Sequence, residues 1–182
     1  MRLAAALALA ALLAGGLQSQ APQAAERVAV SQPLPAEVIA VQSLDGSMID
    51  LSARLRTPQE GRAALVVFWG TWCAPCIREI PELKELQRFY GKRGLEVIGV
   101  GLKSGEETLS GLANAAEAHG ITYPIYFDAR GEAARVFGVT ALPAAALIDG
   151  AGVVRWMGPS LPKDINERIQ AALRPGEDSA GR

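Results

Sequence analysis

The chain holds two cysteines, three residues apart, at a junction that suits them for chemistry. The stretch Phe68-Trp69-Gly70-Thr71-Trp72-Cys73-Ala74-Pro75-Cys76 passes from an apolar, strand-like run into a helical pattern. At positions i and i+3 of a first helical turn the side chains are neighbours, within reach of a disulfide without large backbone movement. A helix N-terminus also offers unpaired N–H groups and positive potential, which favour thiolate over thiol. Cys73, at the start of that turn, is the predicted attacking thiol. Cys76, one turn further in, is expected to be more shielded and to displace a substrate from a mixed disulfide on Cys73. Pro75 restricts the turn between them and removes one donor. A purely structural staple explains the pair less well, because a bridge gains most by closing a long loop and this one closes almost none.

Other chemistries find little support in the composition. One His and two Cys are too few for a structural zinc site, which normally takes four ligands of those types, and a dedicated metalloenzyme is not expected. His119, near a helix end, reads as a cap or surface residue rather than a ligand. With 18 Lys+Arg against 19 Asp+Glu and a formal charge of -1, no basic face is available to displace counterions from nucleic acid. Phosphate-cradling glycine loops are absent. The length of 182 residues suits one domain, and 49% hydrophobic with 20% charged residues is the balance of an ordinary folded protein.

The elements that must position the cysteines follow from periodicity. Residues 1–25 have the architecture of a secretory signal: Arg2, an apolar run from Leu3 to Leu13, then Ala14-Gly15-Gly16, with no acidic residue before Glu26. The run falls short of the roughly 20 residues a spanning helix prefers, and an uncleaved anchor stays open as the alternative. No Cys is present there to carry a lipid. Residues 26–35 read as a linker, 36–173 as the folded domain and 174–182 as a frayed tail. Within the domain, Val38–Val41 and Met48–Leu51 around Asp45-Gly46 predict an N-terminal β-hairpin. Ala63–Trp69 is continuously apolar, as a strand covered on both faces at the centre of a sheet would be. Ile80, Leu83, Leu86 and Tyr90 then recur at helical spacing, with Pro81 inside the pattern predicting a kink. A strand over Leu95–Leu102, a helix from Leu109 stopping near Gly120, a strand over Tyr123–Phe127 and a short helix over Glu132–Phe137 come next. Ala144–Ile148 and Val153–Met157 flank a glycine-rich turn, and Ile165, Ile169 and Leu173 mark a last helix. Strands alternating with helices imply an α/β fold with a mixed sheet flanked by helices.

With those residues on the page, the chain resembles the thioredoxin fold, and more narrowly the exported TlpA/ResA group of thiol-disulfide reductases, with the related CcmG/DsbE cytochrome c maturation proteins. The resemblance covers roughly residues 34–173. It is carried by Val41-Gln42-Ser43-Leu44-Asp45-Gly46, the Phe-Trp-x-x-Trp-Cys-x-Pro-Cys run, Glu79-Ile80-Pro81, Gly138-Val139-Thr140 before Pro143, and Leu147-Ile148-Asp149-Gly150. The helix and strand at 105–128 exceed a minimal thioredoxin and resemble the insert of that group. The resemblance implies a cis peptide at Leu142-Pro143 facing Cys73, with the Leu142 backbone available to an extended substrate strand. It also implies that Glu79, three residues after Cys76, tunes or relays protons to the thiols, the alternative being a solvated helix residue. Val67 is apolar where thioredoxins carry a buried Asp, so that Asp cannot serve here. Ala144-Ala145 stands where the group often has Thr-Thr, which removes two hydroxyls near the site.

The expected catalytic set is Cys73, Cys76, Glu79 and Pro143, and the expected substrate-facing set is Trp72, Ala74, Pro75 and Leu142. Trp69 could join Trp72 at the docking surface or pack in the core. The implied activity is an exported reductase acting on protein disulfides, apocytochrome c among the candidates. No cofactor is expected beyond the Cys73-Cys76 disulfide, and the implied electron donor is a membrane thiol carrier of the CcdA or DsbD type. A monomer is expected. A disulfide-donating oxidase on the same scaffold and a non-enzymatic copper carrier using the Cys pair remain as alternatives. A peroxidase fits less well, because Thr71-Trp72-Cys73 lacks the Pro-x-x-x-Thr-x-x-Cys pattern.

Overall fold

In the computed structural model, residues 27–56 and 61–174 are described; the expected signal at 1–25 and the tail beyond Arg174 lie outside the described residues. The hairpin forms as β1 (Ala40–Ser43) and β2 (Met48–Asp50), paired antiparallel about Asp45-Gly46. Asp45 accepts from the backbone N–H of Ser47 at 2.9 Å, and Gly46 takes a φ of +89°, the left-handed region a tight turn requires. The second strand is shorter than its apolar run suggested. At Leu51 the chain turns into a helix, α1 (Leu51–Arg56), because the Asp50 carboxylate accepts from the Ala53 N–H at 3.1 Å and Leu51 and Leu55 share a buried face.

Ala63–Trp69 is β3, followed by α2 (Ala74–Tyr90), a 3-10 turn (Gly91–Arg93), β4 (Leu95–Leu102), α3 (Leu109–Ala118), β5 (Ile125–Asp128), α4 (Glu132–Val136), β6 (Ala144–Asp149), β7 (Val154–Gly158) and α5 (Ile165–Ala172). The seven strands form one mixed sheet in the order β2-β1-β5-β4-β3-β6-β7, with β3, β4 and β5 parallel and the other pairs antiparallel. β3 is therefore interior as expected, although β4 holds the middle position. α3 and β5 are the helix-strand insert, and β5 joins the hairpin to the parallel strands.

Strand pleating sends successive side chains to opposite faces, and β3 supplies both cores. Leu65, Val67 and Trp69 meet Leu83 of α2, Leu112 of α3 and Ile169 of α5, whereas Val66 and Phe68 meet Leu51, Val136 and Phe137 on the other side. Val67 thus sits in the core in place of an acid. Gly101 in β4 lets α3 come close: a Cβ there would fall 2.4 Å from Leu112 Cδ2. Part of the stretch read as a linker packs on the body, with the Val28 N–H donating to Val136 O at 2.8 Å and Leu34 buried. Among the described residues no helix is long and apolar enough to cross a membrane.

Candidate active site

Between β3 and α2 the chain makes a turn closed by the Cys73 N–H, which donates to Gly70 O at 3.0 Å. Cys73 is the N-cap of α2, and its Sγ accepts from the Cys76 N–H at 3.3 Å. Pro75 fits the first turn because an N–H there has no intrahelical partner to lose. Pro81 lies within α2, which continues to Tyr90; the ring leaves Ile77 O without its helical donor. Cys73 and Cys76 are joined in a disulfide across a Cα–Cα distance of 5.3 Å.

The expected difference in shielding between the two cysteines is absent at the level of the whole residue. Both cysteines are 4% exposed and belong to the same apolar cluster as Trp69 and Tyr123. Cys73 is therefore buried at the N-cap itself, bonded to Cys76 and accepting from its N–H. Trp69 is core, and Trp72 is 55% exposed. The Trp72 indole folds over Gly70, where a Cβ would come within 2.8 Å of its Nε1, so a larger residue there would displace the indole from this position. Ala74 and Pro75 are exposed beside it.

Leu142-Pro143 is a cis peptide. Phe68 lies opposite Ala144 in the β3–β6 register, which puts Pro143 at the end of β3 where the chain departs for Cys73. Leu142 is half-buried and packs against both cores, including the one that contains the disulfide. Pro143 also lines an open pocket of about 290 Å³ with Phe68, Phe137, Val139 and Met157.

Glu79 is half-buried on α2, one turn after Cys76. Burial pushes its carboxyl above the ordinary value; the Leu161 N–H partly offsets this, and Glu82 adds a little to the rise. Tyr123 faces it from the strand side, its phenol raised first by burial and then by the Glu79 charge. A carboxyl whose proton affinity is raised by burial, one helical turn after Cys76, is of the chemical type that can give or take a proton as thiols form. His119 is the exposed C-cap of α3, and its carbonyl accepts from Lys84 Nζ at 3.3 Å. Among the described residues no group of three or more His, Cys, Asp or Glu side chains could hold a metal ion.

One contact at the site escaped the sequence reading. Glu107, 8% exposed in the turn before α3, accepts from the Thr71 N–H at 3.2 Å and from the Thr71 hydroxyl. Its only local signal is an acid beside the N-cap Thr108, which any solvated helix start would share.

A disulfide at the N-terminus of α2, an interior parallel strand leading into it and a cis proline at the same sheet end define a thioredoxin-like protein. The chain belongs to the AhpC/TSA family, which matches residues 30–157. The thiol-disulfide oxidoreductase ResA of Geobacillus thermodenitrificans (strain NG80-2) is 36% identical over 117 residues, 63% of this chain and 66% of that protein, so the chain spans just under two thirds of this curated relative. A thiol:disulfide interchange protein of the thioredoxin family from Chlorobium tepidum TLS is 31% identical, with a TM-score of 0.62 over 80% of this chain and 99% of that one. A candidate DsbE from Chlorobium tepidum shares the fold at a TM-score of 0.68 and 24% identity, with the same coverage of 80% and 99%.

Proposed function

We propose that this protein is a thiol-disulfide oxidoreductase that reduces disulfides of other proteins outside the cytoplasm. The observation that carries the reading is the Cys73-Cys76 disulfide at the start of α2, with Pro143 at the adjoining strand end. In the reduced protein, the N-terminal N–H groups of α2 favour a Cys73 thiolate. That thiolate attacks one sulfur of a substrate disulfide, forming a mixed disulfide and releasing the other substrate sulfur as a thiolate. The Cys76 thiolate then attacks Cys73 Sγ, and the second substrate sulfur leaves. Two electrons pass to the substrate, which takes up two protons, and the enzyme ends as the Cys73-Cys76 disulfide. Glu79 is the proton partner of the thiols. Trp72, Ala74, Pro75 and Leu142 meet the substrate backbone beside Pro143.

Export rests on the leader pattern of residues 1–25. In an oxidising compartment the pair must be reduced again, which is work for a membrane thiol carrier of the CcdA or DsbD type. The haem-attachment cysteines of apocytochrome c are a substrate of the right chemistry. A peroxidase gains no support from Thr71-Trp72-Cys73.

The deciding experiment is the reduction potential of the pair in graded thiol-disulfide buffers with metal excluded. A reductase should lie near thioredoxin's value of about -270 mV. A value near about -120 mV would make the protein a disulfide donor.

A further inference from the structure

We infer that Glu107 is a positioning residue for the reacting sulfur, holding the Gly70–Cys73 turn through Thr71 so that the insert carrying α3 governs how Cys73 is presented. The inference rests on the exchange chemistry proposed above, in whichever direction it runs.

The turn is weakly held by its own residues. Thr71 and Trp72 are exposed, and the Cys73 N–H to Gly70 O bond is local. What grips it comes from 36 residues away. Both Thr71 donors converge on Glu107 Oε2, and hydrogen bonds to a carboxylate are stronger than neutral ones. Glu107 is fixed in turn. Its N–H donates to Ser104 O at 3.1 Å, and the next residue, Thr108, caps α3 by accepting from the Gly111 N–H at 3.0 Å. Leu112, fully buried over Gly101, pins that helix to β4. A rigid path therefore runs from β4 through α3 and Glu107 to Thr71, two residues before Cys73.

Gly111 supplies an independent observation. It lies in the first turn of α3 with no positive φ to require glycine, and glycine in a helix costs about 1 kcal/mol relative to alanine. A Cβ at this position would fall 2.9 Å from Glu107 Oε1. Glycine here leaves room for the carboxylate that reaches Thr71.

The test is disulfide exchange between the reduced protein and insulin, with thermal unfolding measured in parallel. Removing the brace in Glu107→Ala should slow exchange about tenfold or more, since displacing a reacting group by about an ångström is enough for such losses. Gly111→Ala, which favours the helix but crowds Glu107 Oε1, should slow exchange measurably but less than Glu107→Ala, without lowering the melting temperature. Thr71→Ser, which keeps both donors, should stay within about twofold of the parent, while Thr71→Val should not. Gly111→Ala and Glu107→Ala proteins that exchange at the parent rate would overturn the inference, as would losses that merely follow the folded fraction. A parent protein that exchanges no faster than its Cys73→Ser variant would instead overturn the function proposed above.

Discussion

The chain reaches its disulfide through a turn and leaves it through a helix, and the two sides are held in different ways. On the leaving side, α2 is self-sufficient: Cys73 caps it, Pro75 sits where a missing N–H is harmless, and Ile80, Leu83 and Leu86 bury one stripe. On the entering side, Thr71 depends on an acid far along the sequence. Structure that follows the cysteines is encoded within one helix, whereas structure that precedes them is borrowed from the insert. The leaving side can keep the sulfurs close together while the entering side decides where they point.

The largest effect should come from the cysteines, where the two sides meet. Cys73→Ser should abolish disulfide reduction, and Cys76→Ser should accumulate a mixed disulfide visible on non-reducing gels. Full activity in Cys73→Ser would remove the attacking role from that residue. Next, Leu112→Ala and Leu83→Ala set equivalent core losses on opposite sides of the comparison. Each should cost about 2–5 kcal/mol in denaturant unfolding. The folded fraction of Leu112→Ala should also exchange more slowly, because the support of Glu107 loosens, while that of Leu83→Ala should not. Equal exchange by the two would erase the distinction between entering and leaving sides.

The smallest effect belongs to Glu79. Burial raises its folded pKa above the reference 4.5, so its contribution to stability is fully present below about pH 4.5 and is lost as pH rises through the folded value. Glu79→Gln has no charge to desolvate. Its melting temperature should therefore gain on the parent's as pH rises from about 4 to about 8. A difference that stays constant with pH would return Glu79 to the solvated surface.

The same contrast explains what was legible in the sequence. β3 was plain because seven apolar residues in a row leave few alternatives, and α2 because its stripe repeats at helical spacing around the cysteines. The cis peptide at Leu142-Pro143 came from resemblance, since nothing in the local sequence distinguishes it from a trans bond. α1 was hidden by brevity: Met48–Leu51 looks like a strand until Asp50 is recognised as the cap of a short helix, through the Ala53 N–H, that buries Leu51 and Leu55. The equal burial of Cys73 and Cys76 depends on how the bonded pair sits in the core, which spacing does not report. Glu107 was illegible for the same reason that it matters. Its partner is set by how α3 lies on β4, and no periodicity within either segment encodes that contact.

The segment before the hairpin has a further consequence. Pro33 bridges Val153, the Ser31 N–H donates to Val154 O at 2.7 Å, and the Val154 N–H donates to Gln32 O at 3.0 Å. The start of β7, an outer strand, therefore has its free backbone groups already taken by the protein's own chain. Exposed sheet margins are templates for pairing with a second molecule and for fibrillar growth. Here the first residues of that margin are sealed against an incoming extended chain by the protein's own residues 31–33.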